Sequence, residues 1–165
     1  MGTFSPVWMP ANGNVYYGFS GNWNYYLGEH VSIQGEGTYF LNTLQPSRNG
    51  LGSLHKLQGG LSWHFLSKNA FDPFIGLHPG VGILTYYRNT NLIQVASMPE
   101  NDIVPMVSIA GGANYYVGSI FHFFLHLRYS NGRTYAAQSG LQNLSEIQLS
   151  LGLGLNFGVK NEGRR

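Results

Sequence analysis

An alternation of period two, held for a dozen residues or more and repeated along the chain, limits what this sequence can fold into. From 145 to 159, Ile147, Leu149, Leu151, Leu153, Leu155, Phe157 and Val159 alternate with Glu146, Gln148, Ser150, Gly152, Gly154, Asn156 and Gly158. Successive side chains of a strand point to opposite faces. Such a run is therefore a strand with an apolar medium on one side and small or polar groups on the other. The same pattern runs over 15–27, 31–43, 54–66, 73–87, 105–117 and 120–131. Each run is about 12 to 15 residues long, against a usual strand of about 5 to 6, and a membrane crossing takes about 9 to 11.

Composition agrees with strands that meet little water. Only 10% of the 165 residues are charged, 15% are aromatic and 23 are glycine. No apolar run approaches the roughly 18 residues of a membrane helix. The absence of cysteine excludes a disulfide framework and thiolate metal sites. A net charge of +2 without a basic stripe argues against a nucleic-acid partner. The opening Met1-Gly2-Thr3-Phe4-Ser5-Pro6 has neither the basic start nor the apolar core of a signal peptide, so an exported chain is expected to have its leader missing here.

The connections alternate in length. Gly28-Glu29-His30, Ser67-Lys68-Asn69-Ala70 and Gly118-Ser119 read as tight turns, and 44–52, 88–104 and 132–143 as longer loops. With Thr3 to Met9 as a first strand turning through Ala11-Asn12-Gly13, the count reaches eight, which closes without a free edge. The expected fold is all-β, an eight-stranded antiparallel up-and-down transmembrane β-barrel over 1–159, with a short polar tail at 160–165. Short turns on one side and long loops on the other match bacterial outer-membrane barrels, which keep the turns periplasmic and the loops extracellular. A soluble barrel of lipocalin type would invert the faces, with Leu149, Leu151, Leu153 and Leu155 inside and the glycines outside.

An eight-strand barrel has room only for its own side chains, which excludes a porin. The polar face carries Glu36, Lys56, Arg128 and Glu146. A loop centred near Pro46 sets Glu36 opposite Lys56, and one centred near Ala137 sets Arg128 opposite Glu146. These are the expected cross-strand pairs. His64, His78, His122 and His126 share that face. His122 and His126 lie four residues apart on one strand, about 13 Å, too far to hold one metal. Hydrogen bonding in the lumen is the expected role, with no metal and no cofactor. Aromatic residues near the strand ends suggest two headgroup girdles, and Phe157 suits a terminal aromatic on the lipid face. Leu92, Ile93, Val95 and Met98 make the 88–104 loop a partner surface or a cover over the barrel mouth.

One stretch suggests chemistry. The run RYSNGRTYAAQSGLQNL, residues 128–144, resembles the signature of the outer-membrane lipid A 3-O-deacylases and related acyloxyacyl hydrolases. Their motif is His-x-Ser-Asn-(Ala/Gly), followed by a loop with a Gly and, in some members, a Glu. The resemblance implies an eight-strand barrel, a nucleophile at Ser130 and an oxyanion contribution from Asn131, with Gly132 as the small residue. Arg128 then stands where the family has its base, and Gln142 where it has its Glu. Arginine stays protonated and cannot accept the serine proton. His126 is the other candidate base, about 13 Å along the strand from Ser130. Strand parity turns Ser130 into the barrel. Two readings follow. One is a non-catalytic outer-membrane barrel, structural or partner-binding through its loops, with membrane lipids, lipopolysaccharide and another outer-membrane protein as candidate partners. The other is a lipid A deacylase-like serine esterase using Ser130.

Overall fold

A computed structural model describes residues 2–9, 14–41, 51–86, 100–136 and 140–156. They form β1 (Gly2–Met9), β2 (Asn14–Tyr26), β3 (Val31–Leu41), β4 (Leu51–His64), β5 (Phe71–Tyr86), β6 (Glu100–Val117), β7 (Phe121–Ala136), β8 (Gly140–Asn143) and β9 (Glu146–Leu155). Each strand pairs antiparallel with its neighbour, and β1 pairs with β9 to close the ring. β8 and β9 are two pieces of one stave. Both pair with β7, and Leu144 N–H still donates to Gly132 C=O at 2.9 Å in the gap between them. The result is a closed barrel of eight staves.

Three tight turns lie at one end. Leu27 N–H donates to Val31 C=O at 2.9 Å in the first, and Asn69 N–H to Leu66 C=O at 2.9 Å in the second. The third uses Gly118 at φ 72°, a left-handed conformation that a side chain would strain. The connections at the other end, 42–50, 87–99 and 137–139, lie outside the described residues, as do Phe157, the 160–165 tail and Leu92, Ile93, Val95 and Met98. Two of the three long connections are shorter than the sequence suggested: β6 already begins at Glu100 and β7 runs to Ala136, so the ladder takes up parts of 88–104 and 132–143.

Parity follows the amphipathic pattern from Val15 onward. Leu149, Leu151, Leu153 and Leu155 are exposed on the outer wall, while Glu146, Gln148 and Ser150 are buried within. The inverted, lipocalin-type arrangement is thereby excluded. In β1 the parity flips: Val7 is buried and Trp8 exposed. The two β1–β9 ladder pairs are Val7 with Gln148 and Trp8 with Ile147. They stop at Pro6, which has no N–H to give.

The lumen is layered. Toward the long connections, Val7, Tyr16, Phe40, Leu54, Leu84, Val104, Met106 and Leu144 form one buried apolar cluster. The middle holds Glu36, Lys56, Gln58, Arg128, Glu146 and Gln148, all buried. Toward the tight turns lie Ser32, His64 and Asp72, buried beside the partly exposed Tyr26 and Tyr116.

Candidate functional site

The middle tier is a polar plug built from long side chains on facing strands. Arg128 Nη2 donates to Glu36 Oε2 at 2.9 Å. Lys56 Nζ pairs with Glu146 Oε1 and also donates to Gln148 Oε1 at 3.0 Å. Gln148 links the two ion pairs, because its Nε2 donates to Glu36 Oε1 at 2.9 Å. Arg128 Nη1 reaches Gln58 Oε1 at 3.1 Å, Ser108 Oγ at 3.0 Å and His78 Nδ1 at 3.1 Å. Ser62 Oγ donates to Gln34 Oε1 at 2.9 Å and lies 3.1 Å from His78 Nε2. Since Nδ1 of His78 must accept from the guanidinium, its proton sits on Nε2 and is offered to Ser62.

The partners differ from those expected along the hairpins. The expected Glu36–Lys56 and Arg128–Glu146 pairs are replaced by Glu36–Arg128 and Lys56–Glu146. The ladder sets Glu36 opposite Gln58 and Arg128 opposite Gln148, two residues away from the expected register in both hairpins. Each carboxylate then finds its cation across the lumen rather than on the next strand.

The stretch that resembles the deacylase signature is split between the two faces. Ser130 is fully buried in the lumen, and its Oγ accepts from Gln58 Nε2 at 3.4 Å. Arg128, the next inward residue on β7, is held by Glu36. His126 is buried lower in the same strand. Its Nε2 lies 3.3 Å from Asn114 Oδ1, and its ring stands edge-on to Phe74 with centroids 4.8 Å apart. Asn131 is on the other face, where its Nδ2 donates to Ser145 Oγ at 2.8 Å. The ladder thus separates Ser130 from Asn131 and interposes a cation between Ser130 and His126. Of Gln142 only the backbone is described, opposite Thr134.

The tight-turn tier holds a constellation that sequence reasoning missed. Ser32 Oγ lies 2.8 Å from His64 Nε2, and His64 Nδ1 lies 2.9 Å from Asp72 Oδ2. Tyr26 donates its hydroxyl to the same carboxylate oxygen at 2.9 Å and meets the Tyr116 hydroxyl at 2.7 Å. His122 is buried close by, its ring centroid 5.2 Å from that of Tyr116. Asp72 was legible from parity, as an even-numbered residue on an inward face. It was lost because the strand was begun at 73 when β5 starts at Phe71. Parity puts Ser32 on the inward face but says nothing of its partners, which come from two later strands. Among the described residues no group of three or more His, Cys, Asp or Glu could hold a metal ion.

Outside the wall, the tight-turn rim carries a charged pair. Lys68 Nζ lies 2.9 Å from Glu29 Oε1. The hydrogen bond from Lys68, and then its charge, hold the Glu29 carboxyl below the usual carboxylate range.

No protein-family model matches the chain, and no curated protein sequence matches it. Solved structures do match in shape. Neisserial surface protein A superposes with a TM-score of 0.74 at 10% identity, covering 94% of this chain and 93% of the other. The N-terminal β-barrel domain of Pseudomonas aeruginosa OprF gives 0.59 at 18% identity, over 95% and 100% of the two chains. The outer membrane enzyme PagL gives 0.51 at 14% identity, over 92% and 95%. At these identities the likeness is one of fold.

Proposed function

We propose that this chain is an integral outer-membrane barrel that carries no deacylase site at Ser130 and serves the envelope as a structural or partner-binding component. The observation that supports it is the inverted solvent arrangement. Trp23, Leu57, Leu77, Ile109, Leu125 and Leu151 face outward and are exposed, while every ion pair of the middle tier is buried within. A wall of that kind is stable only in hydrocarbon. In this reading the tight turns face the periplasm and the long connections face outward. Membrane lipids and lipopolysaccharide surround the wall, and another outer-membrane protein is the partner to seek at the long connections.

Absence of chemistry at Ser130 is supported by its surroundings. A serine nucleophile needs a neighbouring base. Ser130 accepts from an amide, and its inward neighbour on β7 is an arginine, which cannot take its proton. The test is mass spectrometry of lipid A from cells that express the chain in their outer membrane. Unchanged lipid A in the wild type supports the reading. Loss of a 3-hydroxyacyl chain that Ser130→Ala abolishes overturns it in favour of the esterase. Recovery of the wild-type chain in the soluble fraction overturns the membrane assignment itself.

A further inference from the structure

We propose that Ser32, His64 and Asp72 form a second serine centre, independent of Ser130, just inside the tight-turn mouth of the barrel, and that Ser32 is its nucleophile toward small, uncharged acyl esters.

The inference rests on the direction of two hydrogen bonds. Asp72 Oδ2 already accepts from the Tyr26 hydroxyl and lies 2.9 Å from His64 Nδ1. A carboxylate can only accept, so the imidazole proton sits on Nδ1. With the proton on Nδ1, Nε2 is the acceptor, 2.8 Å from Ser32 Oγ, and takes the hydroxyl hydrogen. Serine, base and orienting carboxylate are therefore in the order that serine hydrolases use on unrelated folds. A lumen hydroxyl needing only a partner could have found one in many ways. Here the three groups come from β3, the last residue of β4 and the second residue of β5.

Depth separates this centre from the middle tier. Ser32 is the second residue after the turn at 28–30, and His64 and Asp72 flank the turn at 65–70. Beside them are Tyr26, the ladder partner of Ser32, and Tyr116, both partly exposed and joined hydroxyl to hydroxyl. Ser32, His64 and Asp72 are fully buried, so an ester reaches Ser32 only when the rim parts, and the partly exposed Tyr26, whose ring lies 4.7 Å from that of His64, is part of what must move. Burial of the three groups favours a small, uncharged ester over a long acyl chain or a charged headgroup.

In the first half-reaction Ser32 Oγ bonds to the acyl carbon as its proton passes to His64 Nε2. The ester C–O bond breaks, and the departing oxygen takes that proton and leaves as an alcohol. In the second, water attacks the acyl-serine, giving a proton to His64 Nε2. Ser32 Oγ leaves, recovers the proton, and the carboxylic acid is released.

A fluorophosphonate probe tests this on the full chain refolded in detergent, with intact mass and peptide mapping as readouts. One adduct on Ser32 is expected. It should be absent in Ser32→Ala, retained in Ser130→Ala, and slowed about a hundredfold in His64→Gln, which keeps a hydrogen-bonding side chain but has no base. If the wild-type chain takes no adduct on Ser32 while a control serine hydrolase in the same detergent labels fully, the proposal is overturned. Equal labelling of wild type and His64→Gln overturns it as well. Should a variant fail to refold, the position of the wild-type adduct alone decides.

Discussion

Arg128 and Glu36 pair across a diameter of the barrel. Arg128 is on β7 and Glu36 on β3, with three staves between them by either route, and Nη2 meets Oε2 at 2.9 Å. Lys56 on β4 and Glu146 on β9 stand in the same relation. The two pairs cross the lumen and are joined by Gln148. Removing one partner of a buried pair leaves an uncompensated charge, at a cost of about 3 to 5 kcal/mol. Arg128→Met should lower the unfolding free energy in urea titrations of the refolded barrel by that order. Adding Glu36→Gln should restore much of it, whereas adding Glu146→Gln should lower it further by stranding Lys56. Rescue by Glu146→Gln instead would return the pairing to the hairpins.

The reason this geometry was only half legible lies in what strand parity encodes. Parity says which face a side chain is on, and it assigned Glu36, Lys56, Arg128 and Glu146 to one face without help from structure. It says nothing about reach across a closed interior. Hairpin arithmetic supplies register only if the loop centre is known, and an error of one residue in the centre moves the register by two. That slip keeps every face correct and changes every partner, as it did between Lys56 and Gln58 opposite Glu36. The apolar tier was hidden for a related reason. Leu54, Leu84 and Val104 sit at strand ends, where an inward apolar residue looks like a break in the alternation rather than a seal.

That seal leads to a permeability prediction. An eight-stave interior is filled by side chains, and here it is filled twice, by the charged tier and by the apolar cluster of Val7, Tyr16, Phe40, Leu54, Leu84, Val104, Met106 and Leu144. The purified barrel in a planar bilayer should show no steady unitary conductance. Leu54→Ala with Leu84→Ala should lower stability by about 2 to 5 kcal/mol for each truncation and still leave the bilayer silent, because the ion pairs remain. Stable wild-type channels would contradict the packing.

At the rim, Glu29 and Lys68 give a prediction with a definite sign. The Glu29 carboxyl is held below its usual range by Lys68. A depressed carboxyl stabilises the folded state at pH above the ordinary carboxylate range, and that contribution is lost as pH falls through the folded value. The pair is solvent-exposed, so the effect on stability should be small and weakened by salt. Lys68→Ala should return the Glu29 carboxyl to the ordinary range in an NMR titration of the micelle-bound protein. An unaltered titration would show that the pair does not persist in solution.

Close packing between β4 and β5 can be tested with two glycines. A Cβ at Gly60 would fall against the carbonyl oxygen of Leu77 and 2.9 Å from the Cα of His78. Both are backbone atoms of a paired strand, and neither can swing away as a flexible side chain could. A Cβ at Gly37 would meet only the carbonyl oxygen of Lys56, at 3.9 Å, an ordinary contact. Gly60→Ala should therefore destabilise the barrel by about 1 to 3 kcal/mol, as overpacking does. Gly37→Ala should be neutral, or stabilising by about 0.4 to 1 kcal/mol through the less flexible unfolded chain. Urea midpoints of the two variants, measured side by side in one detergent, provide the comparison. If Gly60→Ala is tolerated as well as Gly37→Ala, β4 and β5 do not approach as closely as the ladder from Leu61–Leu77 to His64–Phe74 requires.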